Sequence, residues 1–299
     1  MKPIFYLFFA TLFSGSLCAQ DSSLLKMLDD SMSVHAKPGY VTGTFKATHI
    51  VNMQTIEAPA DGALSFVIQH RFGRVNSGAY SFFGLDGATL RLGFDYGITD
   101  RLTVGIGRSS YLKTYDGYLK YKLLRQTDGS NSMPVSVSLL GTINIATDSL
   151  YKKARNYENR PTYTGQVLIA RKISRSLSLQ LVPTYISYNY KDRPVDKQDL
   201  FALGIGGRMK ITKRMSINAE YDYLPSGQIG FYNGDKLHNS FSLGWDIETG
   251  GHVFQLVFSN SQSMLETQYL TQTTGSWGKG DIYFGFNISR NFNLKKKKH

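Results

Sequence analysis

Arg71, Arg91, Asp95, Lys120, Lys122, Arg208, Lys210, Glu220, Asp222 and Asp246 are the residues best placed to do chemistry. Each falls in a stretch that alternates apolar with polar residues, and each takes the polar phase. Charges on one face of a ribbon can cross-brace as ion pairs. Where that face meets water, they bias which ions pass along it. Catalytic chemistry has thinner support. His70 beside Arg71 suggests a site, yet strand phase sets Arg71 with Ser65 and Gln69 on one face and His70 at the strand's end, near an interface. The six histidines are scattered, and neither a His-Glu-x-x-His run nor paired-histidine metal spacing occurs. Gly204-Ile205-Gly206-Gly207 resembles a phosphate loop only superficially, because Phe201, Leu203, Ile205 and Met209 around it share one strand face. Small inward glycines that make room explain it better. Ser109-Ser110 lacks an evident histidine partner, and Asp246 with Asp281 reads as part of an ion network rather than an acid–base pair. No enzyme, catalytic residue, cofactor or metal site is expected.

The elements that carry these residues are strands. Side chains flip face at every residue of a strand, so alternation gives a ribbon with one apolar and one polar side. Leu64, Phe66 and Ile68 oppose Ser65, Val67, Gln69 and Arg71; Leu90, Leu92, Phe94 and Tyr96 oppose Thr89, Arg91, Gly93 and Asp95. Leu102, Val104 and Ile106 oppose Thr103, Gly105 and Gly107, and Leu119, Tyr121 and Leu123 oppose Tyr118, Lys120 and Lys122. Further strands are expected near 133–144, 162–173, 176–190, 199–211, 214–223, 238–248, 252–260 and 280–292. Each is close to the roughly 9–11 residues that a tilted strand needs to cross a bilayer.

Connections alternate in length. Tight ones sit at Gly97–Asp100, Ile173–Arg175, Thr212–Lys213 and Glu248–Gly251, and longer polar loops near 72–87, 145–160, 191–198, 224–236 and 261–279. Short turns at one end and long loops at the other are the rule for outer-membrane barrels. A weak repeat marks the hairpins: Ile98-Thr99-Asp100-Arg101-Leu102, Ile173-Ser174-Arg175-Ser176-Leu177 and Ile211-Thr212-Lys213-Arg214-Met215.

The amino-terminal residues point to export. Lys2, an apolar run from Ile4 to Phe13 and small residues from Gly15 to Ala19 read as a signal peptide over 1–19, cleaved before Gln20. The run is shorter than the roughly 18 apolar residues of a spanning helix. Leu17 before Cys18 argues against lipidation. Because Cys18 is the only cysteine, cleavage leaves a chain without disulfides, thiolate metal sites or a cysteine nucleophile. The 29 glycines, 19 tyrosines and 18 phenylalanines, with slightly negative mean hydropathy, suit a membrane barrel, where only every second residue meets lipid.

The fold expected is therefore all-β: a transmembrane antiparallel up-and-down β-barrel of about twelve strands over 62–294. Outward faces are almost purely apolar, tyrosines crowd the strand ends (Tyr96, Tyr121, Tyr163, Tyr185, Tyr221, Tyr223), and charge sits mid-strand on the other face. A soluble sandwich explains the charges but not the tyrosines. Even parity assigns residues 20–61 to a periplasmic or lumen-tucked segment. The alternative is fourteen strands, with 44–51 and Thr267–Thr273 added.

Several runs also resemble a known family: Phe66-Val67-Ile68-Gln69-His70-Arg71-Phe72-Gly73, Phe83-Gly84-Leu85-Asp86, Arg91 through Gly97, Gly105 through Ser110, Lys113 through Lys122, and Trp277 through Asn287. They are similar to the signature of an uncharacterised β-barrel family of Gram-negative outer-membrane proteins, a domain of unknown function. The resemblance covers most of the mature chain. It implies the fold and the outer membrane, and it brings no activity or functional residue.

On these grounds the chain is expected to be a narrow passive channel for small polar or anionic solutes. Inward positive residues, Arg101 included, modestly outnumber inward negative ones, Asp281 included. The alternative is a closed structural or docking barrel that binds a partner through its loops or amino-terminal segment. The partners expected are outer-membrane lipid, a small anionic solute and a periplasmic or surface protein. Nucleic acid is not among them: of the +12 net charge, Lys2 and the four lysines of the basic tail, 295–299, supply five.

Overall fold

The computed structural model describes residues 39–129, 132–148, 160–189 and 196–295. The expected signal over 1–19, residues 20–38 and the tail beyond Lys295 lie outside the described residues. Twelve long strands form the wall. They are β1 Ala63–Arg74, β2 Ala88–Gly97, β3 Leu102–Ser109 and β4 Thr114–Leu124; then β5 Ser136–Ala146, β6 Pro161–Lys172, β7 Leu177–Tyr188 and β8 Asp199–Lys210; and β9 Met215–Tyr223, β10 Ser240–Thr249, β11 His252–Ser259 and β12 Tyr283–Asn293.

Each strand pairs antiparallel with the next, and β12 returns to β1 to close the barrel. The closing register runs from Asn293 opposite Ala63 to Tyr283 opposite Arg74, with a slip between Tyr283 and Gly285. Gly285 is required at that slip, since a Cβ there would lie 2.1 Å from the His70 carbonyl oxygen. A closed ladder leaves no edge for further strands. The fourteen-strand alternative therefore fails: the 44–51 stretch joins no wall strand, and Glu266–Thr271 forms a short helix, α1.

The repeated turn motif has a physical basis. In all three copies the strand-end isoleucine donates its N–H to the carbonyl of the restarting residue at 2.9 Å: Ile98 to Leu102, Ile173 to Leu177 and Ile211 to Met215. The hydroxyl residue in between takes the reciprocal N–H at 3.0 Å: Thr99 from Leu102, Ser174 from Leu177 and Thr212 from Met215.

The alternation of loop lengths has two departures. At the long-loop end β3 and β4 are joined by residues 110–113 alone, a turn tightened by Leu112 and Lys113 at positive φ. At the short-turn end the 125–135 link is long, and its Thr127–Asp128 pairs with Gly39–Tyr40.

Burial is inverted relative to a water-soluble protein. Outward Ile106 is 66% exposed and outward Phe201 61%, whereas inward Arg71 is fully buried. Leu, Ile, Phe, Tyr and Trp on an exposed wall, with charges inside, match a lipid-facing barrel. None of the described helices is long and apolar enough to cross a membrane.

The bore is filled by two segments of the chain itself. From the short-turn end, residues 44–57 enter as a hairpin: Ile50 N–H bonds the Met53 carbonyl at 2.8 Å, Thr55 N–H bonds the Thr48 carbonyl at 2.8 Å, and His49 bridges Gln54. From the long-loop end, the β11–β12 loop folds inward and buries Met264, Leu265 and all of α1.

Candidate functional site

The inner wall holds the hairpin through the hairpin's backbone. Glu220, on β9, accepts three consecutive amides, from Val51 at 3.0 Å, Asn52 at 2.8 Å and Met53 at 3.0 Å. Gln180, on β7, accepts the Ile56 N–H at 3.0 Å and donates to the Gln54 carbonyl at 2.7 Å. Gln255 on β11 donates to the Ile50 carbonyl at 2.7 Å, and Asn287 on β12 to that of Val51 at 2.9 Å. Lys120 on β4 donates to the carbonyls of Thr55 and Glu57 at 2.9 and 3.1 Å. A hairpin tip has amides and carbonyls that no ladder satisfies, and inside a barrel only wall side chains can supply partners.

Side chains complete the fit. Ile50, Val51 and Met53 belong to a buried apolar cluster with inward Leu140, Leu168, Val182 and Val257. Here the inward glycines of β8 do their work. A Cβ on Gly206 would stand 2.5 Å from Ile50 Cδ1, and one on Gly204 2.6 Å from Met53 Cε. The glycine run makes room for the hairpin rather than for a phosphate.

Of the sequence-predicted residues, most converge on this bore. Arg71 is buried and donates to Asn52 and Asn287, each at 2.8 Å. Arg91 pairs with Asp116 at 2.5 Å and donates to Gln69 at 3.0 Å. Asp95 accepts the Thr48 hydroxyl at 3.1 Å. Arg208 donates to Ser216 at 2.9 Å, and Ser216 in turn to Asp246 at 3.1 Å. Asp222 is buried beside Glu220 on the same face of β9. Lys122 and Lys210 lie towards the short-turn rim, only half-buried.

Two expected inward residues lie elsewhere. Arg101 is exposed in the β2–β3 turn, beyond the last residue whose phase the wall fixes. Asp281 precedes β12 and braces its loop, accepting Asn76 at 2.9 Å and the Ser276 amide at 3.1 Å. The Asn76 bond, offset in part by burial, holds its carboxyl below the usual range. Asp116, near the start of β4 and absent from the expected set, joins the buried wall charges. The buried wall thus carries Arg71, Arg91, Lys120 and Arg208 against Asp95, Asp116, Glu220, Asp222 and Asp246. The expected positive excess is absent from the bore itself. His70 packs on the outer wall, its ring 4.9 Å from that of Phe286. Ser109 and Ser110 accept the amides of Tyr111 and Leu90 and serve the turn.

The second filler is held differently. Tyr269 and Leu270 of α1 pack with Ile186, Leu200 and Ala202. Asn144 donates to the Thr267 hydroxyl at 3.0 Å, and Gln268 to that of Thr114 at 2.9 Å. The Glu266 carboxyl is pushed up to about 7, chiefly by burial, with Arg91 pulling the other way. On the hairpin, His49 is held well below its ordinary value by burial, then by the positive charges of Arg91, Lys120 and Arg71. Between the fillers, at His49, Arg91, Asp116 and Glu266, only about 10 Å³ remains, room for about one water molecule. Among the described residues no cluster of three or more His, Cys, Asp or Glu could hold a metal ion.

Over residues 45–292 the sequence matches the membrane bound beta barrel domain (DUF5777). The chain belongs to this family. The matched span takes in the hairpin as well as nearly all of the wall. No curated protein matches the chain. Among solved structures, the NanC porin is similar at 10% identity, with 77% of this chain and 100% of that chain covered and a TM-score of 0.49. The KdgM porin is similar at 8% identity, 76% and 99% coverage and a TM-score of 0.44. An outer membrane channel from Pseudomonas putida F1 is similar at 16% identity, 79% and 97% coverage and a TM-score of 0.43.

Proposed function

We propose that this family member is a passive outer-membrane channel for small polar or anionic solutes, not an enzyme, and that its own amino-terminal hairpin holds it shut. The short-turn end faces the periplasm and the long loops face outwards. The observation that carries this reading is the grip of Glu220 on the amides of Val51, Asn52 and Met53. Hydrogen bonds from polar wall groups to a peptide backbone are ones that water can replace, so the same groups suit a hydrated bore once the hairpin leaves. Any anion bias comes from the periplasmic rim, which carries Lys122, Lys210, Lys213 and Arg214, and not from the balanced interior.

Planar-bilayer recording tests this. The full chain is expected to be mostly silent, and a variant lacking residues 44–57 to give discrete, anion-biased conductance. An Asn52→Cys/Ser242→Cys pair, built where these side chains meet at 3.1 Å, should lock the hairpin and abolish residual openings until reduced. A hairpin-deleted barrel that inserts and stays silent would sink the channel.

One observation favours a second reading. Leu140, Leu168, Val182 and Val257 form an apolar patch inside the bore that the hairpin covers. On that ground the barrel is permanently filled and presents the chain ahead of the hairpin to a periplasmic or surface protein. It predicts that hairpin deletion destabilises the barrel without opening it.

A further inference from the structure

Beside the root of the hairpin, the β8–β9 and β10–β11 turns flank a cleft of about 600 Å³ lined by Lys46, Lys213, Arg214, Glu248, His252 and Asn291. A recess of about 140 Å³, bordered by Thr48 and Glu57, adjoins it across Lys46 and Asn291. Glu248, the one carboxylate of the larger cleft, is paired with Lys46 at 2.7 Å. Lys213 and Arg214 have no carboxylate partner among the described residues. The cleft therefore presents two uncompensated cations, an imidazole and an amide.

We infer that this cleft binds a small, multiply charged anion bearing carboxylate or phosphate groups, and that the bound anion keeps the hairpin seated. The guanidinium of Arg214 offers paired donors to such oxygens, and Lys213 adds a point charge. The coupling to the hairpin follows from which element carries each charge. Lys46 belongs to the hairpin, whereas Glu248 belongs to the end of wall strand β10, and Lys213 and Arg214 to the β8–β9 turn. If the hairpin leaves, Lys46 goes with it, and Glu248 is left unpaired to repel an anion and to cancel part of its neighbours' charge. An anion thus binds the seated state better, and by linkage it favours that state in return. This second half rests on the hairpin being a removable plug.

The test uses the full chain in nanodiscs at low salt, titrated calorimetrically with citrate and with inorganic phosphate. Citrate is expected to bind more tightly than phosphate, and the Lys213→Ala/Arg214→Ala variant about tenfold more weakly than the parent. No citrate binding, or binding that this variant leaves unchanged, overturns the site. Nanodiscs of phosphatidylglycerol and of phosphatidylcholine separate the sources: loss of citrate binding in the former alone identifies the occupant as a lipid phosphate, and equal binding identifies a dissolved anion. Hairpin seating is read from the rate at which a water-soluble maleimide labels Val51→Cys, or Ile56→Cys should the first perturb packing, with Cys18→Ser in both. Citrate should slow labelling, at saturation by the ratio of its Kd for the unseated state to that for the seated state, and should not slow it in the Lys213→Ala/Arg214→Ala background. Unchanged labelling with saturated binding overturns the coupling. A silent hairpin-deleted barrel would overturn the channel while leaving the citrate affinity as measured, so the two failures are distinct.

Discussion

The two segments that fill the bore solve the same problem by opposite means. The 44–57 hairpin is held by its main chain, through Glu220, Gln180, Gln255, Asn287 and Lys120. Helix α1 is held by its own side chains, through Tyr269 and Leu270 against Ile186, Leu200 and Ala202. The specificity for the hairpin therefore resides largely in the wall, and that for α1 in the helix. Their titrating groups also oppose each other. Neutral His49 favours a seated hairpin in base, and protonated Glu266 favours a seated α1 in acid.

The largest effect should come from Glu220→Ala, which strands three hairpin amides and leaves Arg71 without its acidic neighbour. A loss of about 3–5 kcal/mol is expected in urea titrations of the barrel in detergent. Asn52→Ala, at the same tip, removes the side-chain bonds to Arg71 and Ser242 but no backbone contact, and should lose less, about 2 kcal/mol. Equal losses would end the claim that the wall reads backbone. On the other filler, Leu270→Ala should lose about 2–3 kcal/mol by leaving a cavity against Leu200 and Ile186.

The pH responses sharpen the contrast. The pKa of His49 is lower folded than unfolded, so the unfolded hairpin binds more protons and its seat weakens as pH falls through 6.5. The carboxyl of Glu266 titrates higher folded than unfolded. Its contribution is complete below 4.5 and is lost as pH rises through about 7. Hydrogen exchange between pH 5 and 8 should thus show protection rising at Val51–Met53 while it falls at Glu266–Thr271, and Glu266→Gln should flatten the second trend alone. Parallel trends would remove the distinction. The smallest effect belongs to Lys46→Met, whose partly exposed pair with Glu248 should contribute under about 1 kcal/mol to stability.

The wall was legible because strand phase is rigid: once Leu90 and Leu92 face out, Arg91 and Asp95 must face in. The same logic reaches Asp116, two residues before Tyr118 on one face of β4, had the alternation been extended to the start of that strand. The fillers were illegible for a different reason. Thr44 to Val51 alternates like a strand, but its partners are side chains from β2, β9, β11 and β12, which no local pattern encodes. Thr267 to Thr273 likewise alternates, yet Tyr269 and Leu270, adjacent in sequence, both turn inward on a helical turn. Charge counting erred for want of depth. Phase says which way Lys122 and Lys210 point, not that they sit at a rim while Arg91 sits inside.

The hairpin precedes every strand of the wall, yet apart from Lys120 the wall groups that hold its main chain lie 124 to 236 positions later, from Gln180 to Asn287. A nascent chain therefore carries this segment unsheltered until the final strands are laid down. Docking it is therefore a late step of assembly, and a barrel misassembled anywhere from β7 to β12 would leave this segment untucked.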